Sequence, residues 1–245
     1  MNSKPKSSLA LSAAIFLVVC LSAIVVGQKR RIPTGGRLAI VVDERLSALR
    51  AAPALSAKLI ERLSRGRFVA ITGTNHSAEG LTFYRVKATR RRSGWLQSDA
   101  VISSWQFEDD GRLLRLIRGA DEFERIARAR IFLEAFPHSP LRPAVLLLYG
   151  DAAQGVSEKL SREAGRRLDH EEMAASTAPE FSYFLNFNAL DRYNRQGIHF
   201  AFDRNAKQFH YDGTAWREIV RRYPHSSEAG AARKRLETLS AFLKK

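Results

Sequence analysis

The stretch FLEAFPHSPLRPA at residues 132–144 has a counterpart near the other end of the chain, EIVRRYPHSSEAGA at residues 218–231. Each contains an aromatic residue, then Pro-His-Ser, then small residues that lead into an apolar run. The two prolines, Pro137 and Pro224, lie 224 − 137 = 87 positions apart. In front of each proline, apolar residues recur at i, i+3, i+4 and i+7, which is one face of a helix: Ala129, Phe132, Leu133 and Phe136 in the first copy, and Trp216, Ile219, Val220 and Tyr223 in the second.

Each proline predicts the end of one helix and a turn into another, because proline disfavours helical geometry in the residue before it. Ser139 is placed to cap the second helix of the first copy, with Pro140 at its first helical position. Ser226 or Ser227 is expected to play the same part in the second copy. The sequence therefore predicts that a helix–turn–helix unit occurs twice in the chain.

Both copies resemble the aromatic-x-Pro-x-Ser-x-x-x-x-Ala corner of tetratricopeptide-like repeats, as in FPHSPLRPAVLLLYGDAA. The resemblance extends over about 15 residues in each copy and implies stacked helical hairpins with a concave surface for a peptide or a partner protein. The spacing between the copies is not a multiple of the usual repeat of ~34 residues, so we expect an irregular insert between them.

Two features are expected between the corners. Residues 156–172 continue as a polar, charged helix, and the aromatic-rich residues 180–193 are expected to be buried. Ile198, Phe200 and Phe202 then alternate with other residues, as do Phe209 and Tyr211. This alternation predicts a β-hairpin inserted into the helical region, where it would cap the helices or form part of a binding edge.

The region before the helices has the pattern of a small β-structure. Apolar or alternating runs at residues 38–42, 68–72, 83–87, 94–96 and 100–102 predict five short strands, and residues 73–80 predict a polar loop. Short strands separated by frequent turns indicate a small barrel or sandwich.

The order of residues in this region resembles the bacterial SH3-like domain. The matching residues are Leu49-Arg50 with Pro53, Gly66, Phe83-Tyr84-Arg85-Val86, Gly94-Trp95-Leu96 and Val101. The resemblance covers about 70 residues and implies a small β-barrel that binds wall peptides, glycans or partner segments and is not catalytic. Tyr84 and Trp95 are the candidate groove aromatics, and the alternative is that both are core residues.

A basic turn follows the strand that contains Tyr84. Lys87, Arg90, Arg91 and Arg92 could lie on an anionic lipid or polymer, where each charge contributes ~1 kcal/mol near a membrane surface. The alternative is a solvated turn without a ligand.

Composition restricts the class of protein. The chain has 245 residues, 45% of them hydrophobic and 27% charged, which is typical of a globular protein, and its net charge of +15 favours anionic neighbours. The single cysteine, Cys20, lies in an apolar run near the N-terminus, so the rest of the chain has no disulfide, no thiolate nucleophile and no cysteine-based zinc site.

Residues 9–27 carry no charge and are long enough to cross the hydrocarbon core at ~1.5 Å per residue. Cleavage after Gly27 is possible, but the basic residues 29–31 favour an uncleaved signal anchor. Basic residues on both flanks leave the orientation open, and the positive-inside rule slightly favours a cytoplasmic body. The resemblance to extracytoplasmic SH3-like modules favours export, so we expect a single-pass inner-membrane protein with a periplasmic body.

These patterns predict a multidomain α+β chain. Residues 1–31 form the signal anchor and transmembrane helix, residues 32–36 a linker, residues 37–107 the SH3-like domain, and residues 112–245 an all-α, tetratricopeptide-like domain with the inserted hairpin.

Motifs for catalysis or metal binding are scarce. His199 and His210 could face each other across the predicted hairpin, but no third ligand is evident, and residues 169–172 lack the His-Glu-x-x-His spacing. No phosphate loop, dinucleotide fingerprint or Gly-x-Ser-x-Gly elbow occurs. We therefore expect no metal, no cofactor and no enzymatic activity.

The favoured function is that of a membrane-anchored cell-envelope protein that binds a protein, a peptide or peptidoglycan as a scaffold. The alternative is a peptidoglycan hydrolase or an activator of one, because SH3-like modules often accompany such enzymes. A nucleic-acid partner is not expected, because acidic and basic residues interleave, as in residues 121–125.

Overall fold

Seven short strands between Arg37 and Ile102 form one antiparallel sheet in the computed structural model, which describes residues 35–243. Their order across the sheet is β3-β2-β6-β5-β4-β1-β7. The strands are β1 Arg37–Val41, β2 Ala48–Arg50, β3 Leu59–Arg62, β4 Phe68–His76, β5 Thr82–Lys87, β6 Ser93–Gln97 and β7 Val101–Ile102.

The five strands predicted from the sequence are present, and the structure adds β2 and β3. These two were missed because β2 has only three residues and β3 has no buried residue to produce an alternating pattern. The prediction of a polar loop at residues 73–80 was wrong in part. Strand β4 continues to His76, because β5 pairs with it as far as Thr82, past a bulge between Ile71 and Gly73.

The two faces of the sheet contribute to two different clusters of apolar side chains. Ala39 and Val41 of β1 lie in one cluster, together with residues such as Val69, Val86 and Leu96. We call the face of the sheet that carries this cluster the inner face. Ile40, Val42 and Ile102 belong instead to the core formed by the helices. Strand β1 is therefore apolar at every position from Leu38 to Val41, because helices cover the face that would otherwise meet water.

Eight α-helices occur in the described part of the chain, and the sheet and the helices pack as one unit. Both corners predicted from the Pro-His-Ser motifs are helix–turn–helix units, formed by α2 with α3 and by α7 with α8. The helices are α1 Asp109–Arg118, α2 Glu122–Ala135, α3 Arg142–Arg167, α4 His170–Ala175, α5 Glu180–Leu185, α6 Asp191–Asn194, α7 Thr214–Arg222 and α8 Ala229–Leu243.

The first corner differs in detail from its prediction. Helix α3 begins at Arg142, and Pro143 rather than Pro140 lies in its first turn. Ser139 does not cap this helix: its Oγ accepts a hydrogen bond from the Leu141 N–H (3.1 Å) and donates to Asp110 Oδ2 at 2.7 Å. The serine therefore ties the corner to α1. Helix α3 also continues without a break to Arg167, so the polar stretch from residue 156 is the second half of one long helix.

The inserted hairpin was predicted correctly. Strand β8, Phe200–Asp203, pairs with β9, Gln208–Tyr211, in an antiparallel register. Phe184 of α5 stacks on Phe202 with ring centroids 4.9 Å apart, which buries part of the aromatic-rich segment as expected. The register places His210 opposite Ala201, while the backbone of His199 pairs with Asp212, so the two histidines are not cross-strand partners.

Within residues 35–243, no helix combines the length and the apolar character needed to cross a bilayer. The predicted anchor at residues 1–31 lies outside the described residues, as does the linker up to residue 34.

Candidate functional site

An open cleft of about 300 Å³ lies where the sheet meets α1. Strand β5 and the turn after β6 form one wall, the segment between β7 and α1 forms the rim, and α1 forms the other wall. The lining residues are Thr82, Tyr84, Ser98, Asp99, Gln106, Phe107, Glu108, Asp109, Arg112 and Arg115.

Tyr84, one of the two aromatic residues singled out in the sequence, lies in the wall of this cleft. Its ring packs partly against the inner cluster of the sheet. Its hydroxyl donates a hydrogen bond to Gln106 Oε1 at 3.2 Å. The ring is therefore held by the core, while the phenol edge stays at the surface, where a ligand can reach it.

Asp109 and Arg112 make the floor of the cleft rigid. The buried Asp109 carboxylate accepts a hydrogen bond from the Ser103 N–H through Oδ2 at 2.7 Å and from Arg112 Nε through Oδ1 at 3.1 Å. Arg112 also donates to the carbonyl oxygens of Asp99, at 3.2 Å, and Val101. These groups fix the start of α1 to the last strand. The signal in the sequence that could have identified this helix start is Asp109-Asp110, because acidic residues are favoured in the first turn of a helix.

Phe107 on the rim is 89% exposed, although it is a large apolar side chain. The next residue, Glu108, has φ of 68° in the left-handed region, which a residue with a Cβ seldom adopts. Glu108 lies directly before α1, and its carbonyl accepts the Arg112 N–H at 2.9 Å. The turn into α1 therefore holds Phe107 out beside the cleft, where its ring can stack on a ligand.

Trp95, the second candidate aromatic, is on the other face of the sheet. In the register of β5 with β6, Tyr84 pairs with Leu96 and Arg85 pairs with Trp95. Because neighbouring residues along a strand point to opposite faces, the side chains of Tyr84 and Trp95 point in opposite directions. The structure does not bring these two aromatics together in one groove.

The basic turn is only partly free to bind a ligand. Arg92 Nη1 is bonded to Glu61 Oε2 of the edge strand β3. Lys87, Arg90 and Arg91 are exposed, and none of the three has an ion pair within the described residues. Three of the four predicted cations are therefore available to an anionic surface.

The chemistry of the cleft suits recognition of a polar ligand. Carboxylates of Asp99 and Glu108 and the guanidinium of Arg115 can bond hydroxyl, amide or charged groups, and Phe107 adds an apolar surface. Across residues 35–243, no group of three or more His, Cys, Asp or Glu side chains is placed to hold a metal ion. Comparisons with protein-family models, with curated proteins and with solved structures found no match to this chain.

Proposed function

We propose that the chain is a non-enzymatic, membrane-anchored protein of the cell envelope that binds a peptide or wall polymer in the cleft beside Tyr84. The observation that carries the proposal is the cleft itself. It combines a core-held tyrosine, an exposed Phe107 and side chains of both charges in a volume that suits a short polar segment.

A relationship to SH3-like domains supports a binding role for the sheet. The Phe-Tyr-Arg-Val strand β5 pairs directly with the Gly-Trp strand β6, and the inner face of the sheet carries its own apolar cluster. The two helix–turn–helix corners support a relationship of the helices to tetratricopeptide-like repeats. Under this proposal both parts serve recognition, with the helices available to a protein partner.

The uncharged run at residues 9–27 supports an inner-membrane location with the body in the periplasm. A phosphatase reporter fused after Lys245 tests the orientation. Phosphatase activity supports a periplasmic body. If instead a reporter that is active only in the cytoplasm is active at the same position, peptidoglycan is excluded as the ligand.

The binding function is tested with the full chain in mild detergent, mixed with purified peptidoglycan and sedimented. We expect the chain to sediment with the polymer without releasing soluble fragments. The substitution Phe107→Ala should weaken sedimentation about tenfold, because an exposed aromatic contact contributes on the order of 1 to 2 kcal/mol. The matched control is Leu185→Ala, which removes another exposed apolar side chain far along the sequence and should change nothing.

The alternative, a peptidoglycan hydrolase or an activator of one, is favoured by one observation. Two exposed carboxylates, of Asp99 and Glu108, line the same cleft, and glycosidases use paired carboxyl groups. Release of muropeptides that disappears in Asp99→Asn or Glu108→Gln, while sedimentation persists, would replace the binding proposal with this one.

A further inference from the structure

Four side chains form a row across the sheet, on the face opposite to Tyr84. The register pairs Leu59 with Arg50, Arg50 with Trp95, and Trp95 with Arg85, so these residues are direct neighbours across strands β3, β2, β6 and β5. Directly opposed residues share a face of the sheet. Leu59 is 47% exposed, Arg85 is exposed, and Arg50 and Trp95 are partly exposed. We refer to these four residues as the basic row.

Within residues 35–243, neither Arg50 nor Arg85 of the basic row forms an ion pair with an acidic side chain. Lys87, two residues beyond Arg85 on β5, lies on the same face and is exposed. The only acidic residue in the four strands is Glu61, and it pairs with Leu49 of the inner cluster rather than with a residue of the row. Glu61 is also bonded to Arg92. The surface of the row is therefore positive.

Apolar side chains border these cations. Leu55, in the loop that joins β2 to β3, is about as exposed as Leu59, and Arg50 Nη1 donates to the Ala57 carbonyl of the same loop at 2.8 Å. Trp95 stands in the middle of the row, between Arg50 and Arg85. Half-exposed aliphatic groups, a tryptophan and cations that no carboxylate of the described residues neutralises are together the groups that the headgroup region of an anionic bilayer accommodates.

The start of the described chain lies beside this surface. A Cβ placed on Gly35 would lie 3.9 Å from Lys87 Nζ. The uncharged run at residues 9–27 precedes Gly35 by only a short segment of chain. We propose that the basic row, with Lys87, docks on the anionic surface of the membrane that holds the anchor. The inference rests on the proposed anchor, and it leaves Tyr84, on the opposite face, turned away from lipid.

The test places the full chain in vesicles made of equal parts of phosphatidylglycerol and brominated phosphatidylcholine. The chain has three tryptophans. Trp105→Phe leaves Trp95 and the buried Trp216, which is 1% exposed, so quenching by lipid bromine reports on Trp95. We expect quenching that falls when salt is raised to ~1 M, because the Debye length drops to about 3 Å. Vesicles of brominated phosphatidylcholine alone should quench much less.

Charge reversal provides the matched control. The pair Arg85→Glu and Lys87→Glu should weaken the contact about tenfold or more, since each charge near an anionic surface contributes on the order of a fivefold change. The pair Arg166→Glu and Arg221→Glu changes the same number of exposed charges on α3 and α7 and should leave quenching unchanged. Equal quenching in neutral and anionic vesicles, or an equal loss in the control pair, would overturn the proposal.

Flotation of the same samples separates the two proposals. A chain that floats with anionic vesicles only, and only when Arg85 and Lys87 are present, supports the basic row and contradicts the anchor. A chain that floats with neutral vesicles, but whose Trp95 is not quenched in anionic ones, supports the anchor and refutes the row. Sedimentation with peptidoglycan depends on neither result.

Discussion

Arg128 of α2 donates a hydrogen bond from Nε to the carbonyl oxygen of Val42, at the end of β1, across 3.3 Å. The same guanidinium donates through Nη1 to the carbonyl of Leu116 on α1 at 3.2 Å, and its Nη2 lies 3.9 Å from Asp43 Oδ2. Arg128 is only 7% exposed. One buried side chain therefore joins the sheet to the first two helices, and it holds the two walls of the cleft in a fixed relationship.

Replacing Arg128 with Met should destabilise the protein by about 3 kcal/mol, because the carbonyl groups of Val42 and Leu116 and the buried Asp43 lose a partner. Urea unfolding of the full chain measures this loss. The control is Arg118→Met on α1, where the arginine is exposed and the expected change is within about 0.5 kcal/mol. Equal effects of the two substitutions would contradict the role given to Arg128.

The surroundings of Asp43 predict that the free energy of unfolding depends on pH in the acidic range. The hydrogen bond from the Arg45 side chain lowers the pKa of the Asp43 carboxyl, while burial acts in the opposite direction. Because its folded-state pKa lies below its unfolded value, Asp43 contributes stability above pH ~4 that is lost as the pH falls through the folded pKa.

Asp43→Asn should therefore lower the free energy of unfolding at pH 7 and flatten its decline below pH ~4. Unfolding by urea between neutral and strongly acidic pH measures both effects. Asp121→Asn, which removes an exposed carboxylate directly before α2, serves as the control. A profile of Asp43→Asn that runs parallel to that of the unmodified chain would rule out this origin of the acid sensitivity.

Gly150 allows α7 to approach α3. A Cβ at this position would lie 2.4 Å from Nε1 of the buried Trp216. Gly150→Ala should destabilise the protein by about 1 to 3 kcal/mol through overpacking. Gly155→Ala on the same helix, where a Cβ meets nothing within 4 Å, should instead stabilise it by about 0.5 to 1 kcal/mol, because alanine favours a helix. Thermal unfolding distinguishes the two, and a shift in the same direction for both would refute the packing argument.

Side chains of α3 complete the hydrogen bonds of the hairpin. Gln154 Oε1 accepts from the Tyr211 N–H at 3.1 Å, and Ser161 Oγ accepts from the Phe209 N–H at 2.8 Å. Ser161→Ala and Gln154→Leu should each cost about 1 to 3 kcal/mol, because a buried donor loses its partner. Hydrogen exchange should show faster exchange at Phe209 and Tyr211, respectively. Ser240→Ala on the exposed side of α8 provides the control, and unchanged exchange at both amides would contradict the docking of the hairpin.

The helical corners could be predicted from local patterns. The i, i+3, i+4, i+7 spacing before Pro137 and Pro224 identifies both helices, and proline marks both ends, because these effects act within a few residues of chain. The alternation around Phe200 and Phe209 identifies the hairpin for the same reason. The exact start of α3 could not be predicted, because Ser139 bonds with Asp110 of α1, a residue 29 positions away in sequence.

Local patterns identified the helices of both corners, most of the strands and the turns between them, since backbone geometry and side-chain periodicity act within a few residues of chain. That Tyr84 and Trp95 point to opposite faces follows from the folded sheet alone, because it depends on the register of β5 against β6 and on which face the core covers. The cleft likewise depends on the folded chain: Asp109 and Arg112 come near Tyr84 because they bond to Ser103, Asp99 and Val101 beside the last strand, and the buried Arg128 adds a further link between the sheet and the helices.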